Sequence, residues 1–147
     1  MIERGVIWGF EENGGGIYGP HQYVRDGGIT TMLMLQVISY YKMPLSKLCE
    51  NIPRMFQVKT KVHIEDFKKR SIIMNKLVRL YEGESFYKIE KLDGIKVWIN
   101  KINWVLIRPS GTEPIIRIFS EAETEFKAKK LAEDAKKRIN EVMSESK

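Results

Sequence analysis

The sequence predicts an α+β protein whose carboxy-terminal part is a mainly antiparallel sheet covered by helices. Residues 56–64 alternate apolar and polar side chains, which is typical of a half-buried strand. Asp93-Gly94 separates two further strand-like runs and is a strong hairpin signal. The last twenty or so residues carry an apolar stripe of helical period. Several strands with flanking helices favour a sheet with one covered face.

The first third of the chain predicts fewer strands and one unusual helix. A short strand is expected at residues 5–8, followed by a loop rich in glycine and acidic residues at 9–19. Asp26 can accept hydrogen bonds from the first turn of a helix over 28–41. That helix is apolar nearly all round, so it belongs inside a larger structure, and this segment resembles the end of something larger.

A short helix and a linker should follow. Pro44 suits the first turn of a helix reaching about residue 50. Pro53 breaks regular structure, so residues 51–55 predict a hinge. Beyond the strand at 56–64, further elements are expected in this order: a helix over 66–81, strands at 85–91, 95–100, 104–108 and 115–119, and a helix over 125–143 capped by Thr124.

The helices of this second segment have defined inward positions. The first should bury Phe67, Met74, Leu77, Val78 and Tyr81. The last should bury Ala128, Leu131, Ala132, Ala135, Ile139, Val142 and Met143. The second segment therefore predicts a complete domain.

Composition indicates a soluble protein that favours anionic partners. Of the 147 residues, 43% are apolar and 30% are charged, and the formal net charge is +6. Cys49 is the only cysteine, which excludes an internal disulfide and fits a reducing cytoplasm. The longest apolar-rich run, 29–41, is shorter than the roughly 20 residues that cross a bilayer. Anionic partners include nucleic acid, acidic surfaces and phosphorylated metabolites. Basic and acidic residues are mixed in the last helix, which is typical of a solvated helix face. The sequence has no concentrated basic stripe interleaved with exposed aromatics, which disfavours nucleic acid.

The loop between the strands at 104–108 and 115–119 predicts a phosphate site. Arg108 offers a planar fork for two phosphate oxygens, and the hydroxyls of Ser110 and Thr112 can donate further hydrogen bonds. Gly111 allows unusual φ angles and a close approach of backbone amides to an anion. Arg117 adds a second positive charge. The alternative is a tight turn whose arginine pairs with a carboxylate such as that of Glu113 or Glu121.

The segment Arg-Pro-Ser-Gly-Thr-Glu-Pro-Ile-Ile-Arg, residues 108–117, closely resembles the phosphate-binding loop in the last domain of the α-D-phosphohexomutases. This family includes phosphoglucomutases, phosphomannomutases and phosphoglucosamine mutases, which are isomerases of the intramolecular phosphotransferase type. The resemblance implies that Arg108, Ser110, Gly111 and Thr112 contact the substrate phosphate, with Arg117 beside them.

A second segment, Glu-Glu-Asn-Gly-Gly at residues 11–15, resembles the sugar-recognition loop of the family's third domain. The resemblance implies that Glu11 and Asn13 hydrogen-bond to ring hydroxyls; alternatively, the acids lie on the surface of a glycine loop. Phe10 replaces the family's usual glycine, and Gly15 stands where many members have a histidine. Residues 21–28 resemble the stretch that follows in archaeal-type members. His21 would then be a proton carrier or a structural hydrogen-bonding group.

The family's phosphoserine and magnesium loops have no counterpart in this sequence. The resemblance therefore implies the tail of the third, α/β domain at residues 1–54 and the whole fourth domain at 55–147. We expect the chain alone to bind a hexose phosphate without catalysis and to carry no cofactor itself. Magnesium and a hexose bisphosphate activator are implied for the full-length enzyme. The expected partners are the amino-terminal domains and, through the helix at 28–41, a second copy. The alternative is a noncatalytic module that binds phosphosugars or nucleic acid.

Overall fold

The computed structural model describes residues 1–11, 14–64 and 66–145, without the side chains of Phe67 and Lys68. The chain forms two compact units, Met1–Ile52 and Pro53–Lys147. Each unit contains its own sheet.

The first unit pairs two short strands before a long helix. A 3-10 helix, Ile2–Arg4, precedes β1 (Trp8–Phe10), which pairs antiparallel with β2 (Gly16–Tyr18). The predictions of a strand at 5–8 and a continuous loop at 9–19 are therefore wrong. Glycine has low strand propensity and hides β2 in the sequence. Close packing explains one of these glycines, because a Cβ at Gly16 would lie 2.4 Å from the Thr30 hydroxyl oxygen.

The helices of the first unit begin close to where the sequence predicts. The helix α1 spans Gly27–Tyr41, and the Oδ1 atom of Asp26 accepts a hydrogen bond of 3.0 Å from the amide of Ile29. This confirms the predicted cap. None of the residues of α1 is buried. The short helix α2 spans Leu45–Leu48, and Pro44 is its N-cap residue rather than a member of its first turn.

The second unit contains a five-stranded antiparallel sheet. Its strands are β3 (Phe56–His63), β4 (Lys88–Glu90), β5 (Ile95–Trp98), β6 (Trp104–Pro109) and β7 (Ile115–Ala122). Their order across the sheet is β3-β7-β6-β5-β4. The predicted antiparallel sheet is confirmed, although β4 and β5 are shorter than the sequence indicates.

Two helices cover one face of this sheet. They are α3 (Phe67–Glu82) and α4 (Glu125–Ser144), and the Thr124 hydroxyl caps α4 by accepting from the amide of Lys127 at 3.2 Å. The core combines residues from the sheet and both helices, among them Ile107, Ile118, Leu77 and Ile139, all fully buried. Among the predicted inward residues of α3, Met74, Leu77 and Tyr81 are buried.

The opposite face, here called the open face, carries the alternate residues of the same strands. Its side chains are exposed or half-buried: Gln57, Lys59, Lys61, His63, Lys88, Glu90, Lys96, Trp98, Trp104, Leu106, Arg108, Arg117, Phe119 and Glu121. The period-two alternation of the strands produces this division.

The β4–β5 hairpin differs from the tight primed turn that Asp93-Gly94 predicts. Its loop has four residues, and Gly94 alone in that loop has a positive φ, of 81°. A primed turn of type I′ needs positive φ at both central residues. A Cβ at Gly94 would lie 2.2 Å from the carbonyl oxygen of Ile107, so the loop folds closely against β6.

Candidate phosphate-binding loop

Residues 110–114 connect β6 to β7, so Arg108 and Pro109 of the predicted 108–112 loop lie at the end of β6. Ser110 orders this connection. The amide of Ser110 donates to the carbonyl of Ile115 at 3.0 Å. The Ser110 hydroxyl oxygen accepts from the amides of Thr112 at 3.4 Å and Glu113 at 3.2 Å. Ser110 is buried. Because its oxygen is held by two amides, the hydroxyl hydrogen is the part of this side chain that remains able to donate.

Both arginines of the predicted site form ion pairs on the open face. Arg108 and Arg117 lie directly opposite each other on β6 and β7. The Nη1 atom of Arg108 is 2.5 Å from Oδ2 of Asp93, and the Nη2 atom of Arg117 is 2.6 Å from Oε2 of Glu113. The alternative from the sequence, an arginine paired with a carboxylate, thus describes Arg108 in this structure, but its partner is Asp93. Glu121 instead accepts from the indole Nε1 of Trp104 at 3.0 Å.

These ion pairs are exposed enough to exchange for a ligand. The Arg108 side chain is 36% exposed to solvent and the Asp93 side chain is 64% exposed. Exposed ion pairs contribute about 0–1 kcal/mol, so a phosphate can displace the carboxylate at little cost. The Arg108 guanidinium carbon also lies 5.7 Å from the ring centroid of Phe119, which helps to orient its plane.

Gly111 lies at the tip of the loop with open space around it. No atom would lie within 4 Å of a Cβ built there, and its φ lies outside the left-handed region. The unusual φ angles that glycine allows are therefore not used at Gly111 in this structure, while close approach of a ligand is sterically allowed. Within residues 1–11, 14–64 and 66–145, the Gly111 amide donates to no protein acceptor. Thr112 is likewise exposed.

A buried arginine that the sequence interpretation missed holds the loop from below. The Nη1 atom of Arg70, in α3, donates to the carbonyl oxygens of Ser110 at 2.5 Å and Glu113 at 2.8 Å. Because these carbonyls point towards α3, the tip is held in one conformation. A cavity of about 350 Å³ lies beside this contact and is lined in part by Arg70, Asn75 and Gly111. In the sequence, the sign of this contact is an arginine on the inward stripe of an amphipathic helix.

The predicted sugar loop belongs to the first unit. Glu11 is exposed, its amide donates to the Gly15 carbonyl, and its Oε2 atom lies 3.1 Å from Nη1 of Arg25. Asn13 lies outside the described residues. Phe10, which replaces the family's glycine, is 76% exposed, so it does not fill a gap in this unit.

His21 lies beside the cap of α1. Its Nε2 atom is 3.4 Å from Oδ2 of Asp26, which also accepts from the amide side chain of Gln22 at 2.7 Å. The hydrogen bond from the Ile29 amide holds the pKa of Asp26 below its usual value. His21 thus contacts a structural carboxylate, as the structural alternative expects. His63, at the end of β3, is exposed.

Two kinds of feature are absent from the part of the chain that the structure describes. There, no three His, Cys, Asp or Glu side chains come together in a group suited to a metal ion. Over the same residues, no helix combines the length and apolar character needed to cross a bilayer.

Two family models match the chain in succession. Residues 1–56 match the α/β/α domain III of phosphoglucomutase/phosphomannomutase, and residues 60–138 match the C-terminal domain of the same family. Among curated relatives, the chain is 41% identical over 137 residues to a phosphoglucosamine/phosphogalactosamine mutase of Sulfurisphaera tokodaii, covering 93% of this chain and 30% of the relative. It is 39% identical over 143 residues to a phosphoglucomutase/phosphomannomutase of Thermococcus kodakarensis, covering 97% of this chain and 30% of the relative.

A solved structure shares the fold. It is a phosphoglucomutase/phosphomannomutase family protein from Burkholderia thailandensis, similar with a TM-score of 0.72 at 18% identity over 97% of this chain and 30% of that one. The predicted α+β fold class is thereby confirmed. The chain spans about 30% of the length of the curated relatives it matches. It belongs to the phosphoglucomutase/phosphomannomutase family and corresponds to domain III and the C-terminal domain of these mutases.

Proposed function

We propose that this chain is the carboxy-terminal, substrate-binding part of a phosphohexomutase, with the tail of the third domain at residues 1–54 and the fourth at 55–147. The substrate phosphate binds at Arg108, Ser110, Gly111 and Thr112, and Arg117 adds charge beside them. One observation supports this most strongly: two opposed arginines flank a loop whose tip is open to a ligand.

Phosphate binding at this loop requires only that the two arginines exchange their carboxylate partners for phosphate oxygens. Asp93 and Glu113 release the two guanidinium groups, and the phosphate oxygens replace their carboxylates. Arg108 then donates two parallel hydrogen bonds, as its planar fork allows. The Gly111 amide and the Thr112 hydroxyl donate to the remaining oxygens. Arg70 keeps the loop carbonyls directed away from the anion, which would otherwise be repelled by them.

The sugar is placed by the first unit. Glu11 and Asn13 hydrogen-bond to ring hydroxyls, and Glu11 leaves Arg25 to do so. Several relatives are described as phosphoglucosamine mutases, so a hexose phosphate or hexosamine phosphate is the substrate class we propose. Phosphoryl transfer depends on positioning and on neutralisation of charge. This chain supplies the clamp, while the phosphoserine and the metal loop come from the enzyme's other domains.

The phosphate site is tested by replacing Arg108 with lysine. Lysine retains the charge but loses the bidentate geometry, so we expect glucosamine 6-phosphate to bind about tenfold more weakly. Calorimetric titration of the 147-residue chain measures this. Arg79→Lys, at an exposed position of α3, is the matched control. Equal affinities of the wild type and Arg108→Lys would contradict the proposed site.

The proposal that the chain is inactive alone has a separate test. The chain is incubated with glucosamine 1-phosphate, glucose 1-phosphate or mannose 1-phosphate, together with magnesium and a hexose bisphosphate. We expect no formation of the 6-phosphates, because no phosphoserine is available to donate. Robust turnover would show that the chain itself contains the transferring group.

A second candidate function, nucleic-acid binding, is favoured by the open face. The Nζ atom of Lys96 lies 3.9 Å and 4.2 Å from the ring centroids of Trp104 and Trp98. Strand pairing thus brings one lysine against two aromatic rings that are separate in the sequence. Half-buried rings covered by a lysine offer little stacking surface, so this candidate comes second. Binding of single-stranded DNA that weakens steeply with salt would support it.

A further inference from the structure

Three cations form a row across neighbouring strands at the end of the sheet nearest the 108–112 loop. Lys61 lies opposite Arg117, which lies opposite Arg108. Opposed residues in a sheet share a face, and neighbouring strands are about 4.8 Å apart. Like charges directly opposite each other destabilise a sheet. This cation row therefore has a cost that an anion would relieve.

The carboxylates around the row leave one cation unneutralised. Arg117 pairs with Glu113, and Arg108 pairs with Asp93. Lys61 is exposed, and no carboxylate among residues 1–11, 14–64 and 66–145 lies within ion-pair distance of it. The row and its two carboxylates thus carry one net positive charge. When a phosphate displaces the carboxylates, all three cations become available to it.

Lys61 is held in a defined position relative to the loop. The amide of Ile64, which follows β3, donates to the carbonyl of Pro114 at 2.8 Å. Arg70 of α3, the next element, donates to the carbonyls of Ser110 and Glu113. The segment that carries Lys61 is therefore attached to the loop at three points. A long lysine side chain on this strand can approach an anion held between the arginines.

We infer that Lys61 is a specificity-determining residue, which makes the site prefer a dianionic phosphate monoester over a monoanionic ester of the same shape. This inference rests on the proposed phosphate site and deepens it. The second ionisation of a phosphate monoester has a pKa of about 6, so the group is largely a dianion near neutral pH. A sulfate ester has the same tetrahedral shape and only one negative charge. The third cation interacts with the additional charge of the phosphate.

The test compares ethyl phosphate with ethyl sulfate, which have no sugar. Affinities for both are measured by calorimetry or NMR titration at about pH 7.5 and low salt, with the full 147-residue chain. The variants are Lys61→Met and the matched control Lys59→Met, which lies on the same strand and face but opposite Phe119. We expect the phosphate-to-sulfate affinity ratio to fall at least about threefold in Lys61→Met, by Coulomb's law at a few ångströms, and to change little in Lys59→Met.

Stability distinguishes this role from a structural one. Removal of Lys61 relieves repulsion within the row, so the melting temperature of Lys61→Met should be unchanged or higher while phosphate binding weakens. An unchanged affinity ratio in Lys61→Met, an equal fall in Lys59→Met, or absence of saturable ethyl phosphate binding to the wild type would each overturn the inference. Glucosamine 6-phosphate separates the two proposals: if it binds no better than ethyl phosphate, sugar recognition fails while the role of Lys61 stands.

Discussion

The helices α1 and α4 behave in opposite ways. The helix α1 is mostly apolar, yet none of its 15 residues is buried. The helix α4 has many charged residues, yet five of its 20 residues are buried, all on one stripe. Burial thus follows the pattern of apolar residues and the presence of a matching surface, rather than the apolar content of a helix.

The same contrast separates the two units. The second unit has a core in which Leu77, Ile118 and Ile139 are fully buried. The first unit leaves large side chains in solvent: Tyr40 is 79% exposed and Met32 is 65% exposed. An apolar surface of this kind marks an interaction site in a folded protein. The second unit thus has a core of its own, whereas the first leaves an apolar surface that we expect another surface to cover.

A pair of leucine truncations gives the largest expected difference between the units. Leu77→Ala, in the core, should lower the free energy of unfolding by about 2–5 kcal/mol, because it removes buried contacts and leaves a cavity. Leu35→Ala, in α1 and 56% exposed, should change it by less than about 0.5 kcal/mol. Urea unfolding followed by circular dichroism measures both. Equal losses would show that α1 is packed in solution.

The stability of the second unit at high pH depends on the buried phenol of Tyr81, so it tests the packing of this unit. Burial raises the pKa of Tyr81 from 10.0 to about 12, against the opposing effect of the nearby Arg138. The folded state therefore favours the neutral phenol, and its stabilising contribution is complete below pH 10 and is lost as the pH rises through about 12. The full loss is about 3 kcal/mol for two pKa units.

Tyr81→Phe removes this titration. Its unfolding free energy, measured between pH 9 and 12, should fall less steeply than that of the wild type, since ionisation of other groups continues in both proteins. Parallel pH profiles for the two proteins would contradict the burial of the Tyr81 hydroxyl.

Self-association through the first unit should have the smallest free energy of the effects predicted for the two units. We expect the chain to associate weakly through the apolar surface of α1. Leu35→Lys should shift the sedimentation profile towards monomer without changing the cooperativity of unfolding. Thr31→Lys, at an exposed polar position of the same helix, is the control. A wild-type chain that remains monomeric at high concentration would contradict this expectation.

Local pattern predicts much of this molecule. Alternation predicts β3, the apolar stripe predicts α4, and Asp26 and Thr124 cap helices as expected. These features depend on a few neighbouring residues, so their physical causes are present in short stretches of sequence. The β1–β2 hairpin is not evident from pattern, because each strand has only three residues and one of them is a glycine.

The sequence predicts only those parts of the candidate site that are adjacent along the chain. The residues of the 108–112 loop stand together in the sequence, and their resemblance to a family motif is visible there. Asp93 meets Arg108 from another hairpin, and Arg70 reaches the loop from a helix forty residues earlier. The cation row depends on strand register, and register is set by pairing between distant segments. Contacts of this kind require the fold before they can be identified.

The central claim is that a sugar phosphate binds at the tip of the β6–β7 connection. Titration of the ¹⁵N-labelled chain with glucosamine 6-phosphate tests it most directly, by following each backbone amide. The account predicts saturable shifts at Gly111 and Thr112 that are lost in Arg108→Ala. Saturation with these two amides unmoved, or with shifts confined to α4, would contradict it.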